Sequence, residues 1–162
     1  MSTSRRAWFL WPIVILLLPL VVVVALVWLV AAIGLLLVVW ATWSPRGRYA
    51  LVVYSNSPIW QQYFEERVLP AVGHRGVVLN WSERKRWRLS LSVVLFRMFA
   101  GTREFNPLVV VFQPWTWPRR FPFFRAFQAF KEGRPEGVEH IRADLFRLLD
   151  QISPSVILDG HG

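Results

Sequence analysis

The sequence predicts an α/β protein in which an N-terminal transmembrane helix is followed by a small three-stranded, mainly parallel sheet with helices packed on it. Three observations lead there. No charged side chain occurs from Ala7 to Pro45, whereas every acidic residue lies at or beyond Glu65. After Pro45, short runs of β-branched and aromatic residues alternate with stretches of helical periodicity, the pattern of repeated strand–helix units. At 162 residues the chain has room for one globular domain beside such a helix.

The apolar segment comes first. A bilayer core of about 30 Å needs about 20 apolar residues, and "AWFLWPIVILLLPLVVVVALVWLVAAIGLLLVVWATWSP" exceeds that. A domain this small could not cover such a helix on all sides. A cleaved signal has an apolar region of about 7–15 residues and a small-residue cleavage site. Here the run is longer and ends in "VVWATWSP", a poor site. The start "SRRAWFL" resembles a twin-arginine export signal, but that too should end in a cleavage site. An uncleaved anchor is expected.

A continuous helix from Trp11 to Trp40 would measure about 43 Å, matching a bilayer with its interfaces at about 40–45 Å. Trp8 and Trp11 would form one interfacial belt and Trp40 and Trp43 the other. Pro12 suits the first turn, and Pro19 would kink or tilt the helix. A hairpin would need a turn near the middle, where only Gly34 offers help, so a single tilted span is expected. The resulting organisation is an N-terminal cap (1–6), an anchor (7–43), a joint (44–48), an α/β domain (49–152) and a C-terminal tail (153–162).

Arg5 and Arg6 precede the span; the other 17 of the 19 Lys and Arg follow it, against 10 Asp and Glu, leaving that part net +7. Counted over the flanking loops, the excess places the domain in the cytoplasm, on a bacterial-type inner membrane. Arg46 and Arg48 balance the two N-terminal arginines closest to the span, so the wider window decides. Cysteine is absent, which removes disulfides, thiolate metal sites and thiol nucleophiles.

The domain elements follow in order. "YALVVYS" reads as a buried strand. In "NSPIWQQYFEERVL", Ser57 would cap a helix with Pro58 at its first position, and Trp60, Phe64 and Val68 recur on one face. That helix should stop near Pro70 and Gly73. "GVVLNW" is a second strand, "SERKRWRLS" breaks it, and "LSVVLFRMFAG" is a helix ending at Gly101. "NPLVVVFQP" is a third strand. An aromatic helix follows with Phe123, Phe127 and Phe130 on one face. Finally "PEGVEHIRADLFRLLDQI" places Val138, Ile141, Leu145, Leu148, Leu149 and Ile152 on one stripe. "SPSVILDGHG" reads as a tail or a partner-binding strand.

The element order, the helix directly after the first strand and the proline before the third strand resemble a thioredoxin-like domain over residues 49–152. In that family a Cys-x-x-Cys pair opens the first helix and a cis-proline faces it. The corresponding positions here are Ser55, Asn56, Ser57 and Pro58, with Pro107 as the facing proline. With no cysteine in the chain, the family's redox chemistry is not implied. A three-stranded Rossmann-like half is the alternative architecture.

Ligands of open α/β sheets bind at the carboxyl ends of strands, so Ser55, Asn56 and Ser57 form a candidate anion site at a helix start. No glycine-rich phosphate loop or G-x-G-x-x-G follows any strand. His74, His140 and His161 are not spaced as zinc ligands, although His140 and Asp144 fall four apart as a surface pair. No metal, no cofactor and no catalytic residue is expected. Glu65 and Glu66 are adjacent and point differently around a helix, a poor acid/base pair.

Two runs combine tryptophan with arginine. "WSERKRWRLS" holds Trp81, Arg84, Lys85, Arg86, Trp87 and Arg88. "QPWTWPRRFPFF" holds Trp115, Trp117, Arg119 and Arg120, and its prolines at 114, 118 and 122 forbid a regular helix before about Phe123. Not all of the second run's aromatics fit a small core, so part of it should form an exposed docking patch. Basic residues near an anionic leaflet are each worth about 1 kcal/mol, and indoles favour the same layer. Both runs are therefore candidates for contact with lipid or with another protein, Trp and Arg being favoured in both settings. Nucleic acid would also use such residues, but a domain tied so closely to a membrane does not require it. The function expected is a non-catalytic accessory or scaffold subunit that docks on a larger membrane complex. The alternative is a membrane-tethered α/β enzyme or anion-binding module using the Ser55–Pro58 helix start.

Overall fold

Leu10–Thr42 forms one continuous α-helix (α1), with Pro19 inside it and no turn at Gly34. Its apolar window has a mean hydropathy of 3.2 and is only 11% buried, so α1 carries the length and composition to cross a membrane. The structure is a computed structural model that describes residues 10–101, 106–131 and 136–152. Within it the chain forms two units, one ending at Leu37 and the other beginning at Val38.

In the second unit every residue of the strand Ala50–Tyr54 (β1) is buried, as a central strand covered on both faces must be. The segment that follows turns at Pro58–Trp60 and becomes helical at Gln61–Tyr63, π-wound over Phe64–Val68 and α-helical again at Leu69–Val72 (together α2). The helix thus begins at Gln61, not at Pro58. Trp60 precedes it with φ −125°, and its indole donates to Ser55 Oγ at 3.1 Å, which holds this residue out of the helix. The wide π turn, in which the Leu69 N–H donates to Phe64 O, carries the helix past Pro70, which has no N–H to give.

Gly76–Asn80 (β2) lies parallel to β1, with Ala50 opposite Gly76 and Tyr54 opposite Asn80. A 3-10 turn, Trp81–Arg86, leads to the helix Leu91–Phe99 (α3). Leu108–Val111 (β3) pairs antiparallel with β1, Val53 facing Leu108 and Ala50 facing Val111. Arg119–Pro122 (β4) pairs antiparallel with β3 and completes the order β2-β1-β3-β4. Phe124–Lys131 (α4) and Glu136–Ile152 (α5) close the chain. The Asn106–Pro107 peptide is cis.

The sheet is therefore four-stranded and mixed, not three-stranded and mainly parallel. The direction of β3 follows from where the chain re-enters the sheet. Phe99 ends α3 against Phe112, beside the N-terminal end of β1, whereas β3 begins at Leu108 beside the C-terminal end. β4 is an edge strand, the position where Pro122 and two exposed arginines are tolerated.

Strand alternation divides the core between the two faces. Val52 and Val109 join Phe64, Phe123, Phe127 and Leu145 in a cluster walled by α2, α4 and α5. Full burial of such side chains is worth about 1.5–3 kcal/mol each. Phe112 instead meets Phe99 of α3 and Trp43, both edge-on. On the α5 stripe Val138, Leu145, Leu148 and Leu149 are buried, with Ile141 and Ile152 packed at the margin.

Candidate functional site

The strand register sorts the candidate residues into two groups at opposite ends of β1. Trp43 and the β3–β4 loop lie at the N-terminal end, because Val111 and Arg119 are in register with Ala50. Ser55, Asn56, Ser57 and the Trp81–Arg88 run follow the C-terminal ends of β1 and β2.

At the N-terminal end, Trp43 is only 7% exposed and stands edge-on to Phe112 at 5.9 Å, so it is part of the domain core. The joint after it is a 3-10 turn, Ser44–Arg46, closed by Gly47 in the left-handed conformation at φ 66°. Trp115 is the opposite case. It is 84% exposed, its ring lies 5.2 Å from that of Trp40, and its backbone has φ 62°, a conformation costing a non-glycine residue roughly 1–2 kcal/mol. Trp117 is half exposed and edge-on to Phe99. The Arg119 guanidinium lies over the Phe121 ring, and that of Arg120 lies beside Gly101. Trp40 Nε1 is buried with no hydrogen-bond partner among the described residues. Trp8 lies outside the described residues, and Trp11 falls in the first turns of α1.

The remaining aromatics of "QPWTWPRRFPFF" go inward. Phe121 is 6% exposed from β4 and Phe123 is fully buried. The run is thus split between a core strand and an exposed tip.

At the C-terminal end, the Asn80 side chain accepts from the Ser82 N–H at 3.0 Å and starts the 3-10 turn. Trp81 and Trp87 both lean on Phe96, at 5.5 and 5.6 Å, and Trp87 Nε1 donates to Asn80 O. Arg84 covers the Trp81 ring at 4.9 Å. Lys85, Arg86 and Arg88 project into solvent, with Leu89 beside them 82% exposed.

The candidate anion site spends much of its polarity internally. Ser55 Oγ accepts from Trp60 Nε1, the Asn56 N–H donates to Ser82 Oγ at 3.0 Å, and Asn56 Oδ1 accepts from Asn80 Nδ2 at 2.6 Å. The Ser57 carbonyl accepts from the Gln61 N–H. These bonds knit β1, β2 and the 3-10 turn together.

Beside Pro58 lies a groove of about 340 Å³ lined by Pro58, Gln62, Tyr63, Arg67, Phe130 and Glu139, among others. Tyr63 donates its hydroxyl to Glu139 Oε1 at 3.1 Å, and Glu139 also binds Arg142 at 2.7 Å and Arg67 at 3.6 Å. Burial, and then the Glu139 charge, push the Tyr63 hydroxyl up to about 12. Burial followed by Glu65 raises Tyr54 as well. Sequence reasoning missed this groove because Tyr63 and Glu139 meet only through the packing of α2 on α5. Among the described residues no cluster of three His, Cys, Asp or Glu side chains is arranged to hold a metal, and His140 and Asp144 form an exposed pair at 3.8 Å. Comparison with protein-family models, curated proteins and solved structures finds no match.

Proposed function

We propose that this chain is a membrane-anchored, non-catalytic accessory or scaffold subunit that docks on and stabilises a larger membrane protein complex, an energy-transducing one among the candidate hosts. The observation that carries the reading is the exposed rim of Arg84, Lys85, Arg86, Arg88 and Leu89 at the C-terminal end of the sheet. It lies at the opposite end of β1 from Trp43, and Ala50 to Tyr54 alone spans about 13 Å. That is about one and a half Debye lengths at physiological salt, so attraction to lipid headgroups at the other end is weakened by screening. Cations around an exposed leucine suit an acidic protein surface with an apolar centre.

Retention of α1 as an anchor is supported by Val39 in its last turn and Trp43 just after it, both buried, since cleavage beyond Trp43 would remove two buried side chains. The excess of basic residues after α1 favours a cytoplasmic domain on a bacterial-type inner membrane. A thioredoxin-like architecture is supported by the order β2-β1-β3-β4 with only β1 and β2 parallel. The antiparallel β3 disfavours a Rossmann-like half. The groove beside Pro58 favours a second reading, a tethered ligand-binding module or enzyme, in which the groove and not the Ser55–Pro58 amides receives the ligand.

The test is purification of the tagged full chain from its native membrane in mild detergent, followed by a native gel. Co-migration with a large complex, lost on substituting Arg84, Lys85, Arg86 and Arg88 by Glu, is expected. A lone monomer or dimer sinks the docking reading and favours the groove.

A further inference from the structure

We propose that the β3–β4 loop is a second membrane contact, in which Trp115 and Trp117 enter the headgroup layer of the bilayer crossed by α1. The proposal rests on the reading of α1 as a membrane span and assigns to this loop a partner different from that of the basic rim.

The position of Trp115 is the first argument. Trp40 lies in the last turn of α1, where the uncharged run gives way to Arg46 and Arg48. Indoles are favoured at that boundary. With the Trp115 ring 5.2 Å from that of Trp40, a headgroup layer that reaches one reaches the other. The contact therefore continues the interfacial end of the anchor.

The build of the loop is the second. Pro114 and Pro118 flank it, and the Thr116 N–H and Oγ1 both donate to Gln113 O, closing a turn. Trp115 occupies the left-handed region at φ 62°, where glycine or asparagine is the ordinary choice. A large apolar ring is thus held out at 84% exposure on a stiff support, instead of folding back onto the domain.

Charge is the third. Arg46, Arg48, Arg119 and Arg120 are exposed at this end, and no Asp or Glu occurs from Val38 to Phe64 or from Asn106 to Lys131. Aromatic rings flanked by arginine, on segments that carry no carboxylate and with the nearby Asp150 engaged by Arg75, match an anionic lipid surface.

The absence of cysteine makes a clean test available. Single cysteines are introduced as Trp115→Cys, Trp117→Cys, Lys85→Cys and Leu26→Cys in the full chain and labelled with an environment-sensitive fluorophore. The proteins are reconstituted into phosphatidylcholine–phosphatidylglycerol vesicles carrying a nitroxide either on the headgroup or in mid-chain. The expected result is roughly twofold or greater quenching of the 115 and 117 labels by the headgroup nitroxide, at the depth where indoles partition. The Lys85 label should be unaffected, and the Leu26 label quenched by the mid-chain nitroxide. If 115 and 117 respond no more than 85 while 26 is quenched, the lipid contact is overturned and the loop is left to a protein partner. If 26 is unquenched as well, the span fails and the proposal with it. Because both tryptophans are exposed, the pair also guards against one label disturbing the fold.

Discussion

The two ends of the sheet are written in nearly the same residues and are put to opposite use. Trp81 and Trp87, among Arg84, Lys85, Arg86 and Arg88, turn their rings onto Phe96 and leave the cations outside. Trp115, beside Arg119 and Arg120, leaves its ring outside as well, with Trp117 half exposed against Phe99. The difference lies in what waits beneath. α3 presents Phe96 within reach of the 3-10 turn, whereas Trp115 meets the Trp40 ring and is held away from the core by its backbone. Composition names a tryptophan–arginine surface; only a buried partner decides whether it is a core margin or a docking tip.

The largest expected effect breaks the C-terminal end. Phe96 is 7% exposed and is the common support of Trp81 and Trp87. Phe96→Ala should cost about 3–5 kcal/mol, read as a lower unfolding midpoint of the detergent-solubilised protein. The basic rim should loosen with it, so the co-migration described above should weaken. A midpoint close to wild type would show that the two indoles find other support and that the ends do not differ as described.

A smaller effect probes what holds the N-terminal end together. Arg75, just before β2, is 7% exposed; it donates to Asp150 Oδ1 of α5 at 2.7 Å and to Ala71 O at 2.9 Å. Removing the carboxylate leaves a buried cation with part of its bonding. Asp150 is half exposed and water can take its place in part. Asp150→Ala should therefore cost about 1–3 kcal/mol, less than for a fully enclosed pair. The double variant Arg75→Met with Asp150→Ala should recover part of that loss, since no buried charge then stands alone.

Much of this plan was legible in the residues, and the failures have physical causes. An uncharged run, a wholly apolar strand and the stripe from Val138 to Ile152 declare α1, β1 and α5, because burial alone dictates them. The direction of β3 leaves no mark on "NPLVVVF", since a strand buried on both faces reads alike either way. β4 was hidden because "RRFP" mixes two cations and a proline, signals of irregular chain, on an edge where the missing N–H and outward charges cost little. For the candidate site, Trp115, Trp117, Arg119 and Arg120 do gather at one end. Their separation from Trp81–Arg88 is a consequence of register, which no local pattern encodes. Trp43, expected at the interface, is buried with its ring edge-on to Phe112. The Tyr63–Glu139 groove depends wholly on tertiary packing.

The smallest expected effect is the most informative about the loop. Trp115→Gly removes the ring tilted against Trp40, a contact worth about 0.5–1.5 kcal/mol beyond its area. It also relieves a left-handed backbone that costs a non-glycine residue roughly 1–2 kcal/mol. The two terms oppose each other, and glycine's greater unfolded-state freedom subtracts a little more. Net stability in detergent should stay within about 1 kcal/mol of wild type. In vesicles the outcome should differ, because the variant loses the ring that enters the headgroups. Limited proteolysis of the domain on anionic vesicles should then speed up relative to wild type while the midpoint in detergent holds. A large loss of stability in detergent would instead mark Trp115 as a structural residue of the β3–β4 turn. The two ends of the sheet would then be alike after all, each holding its tryptophans for the fold.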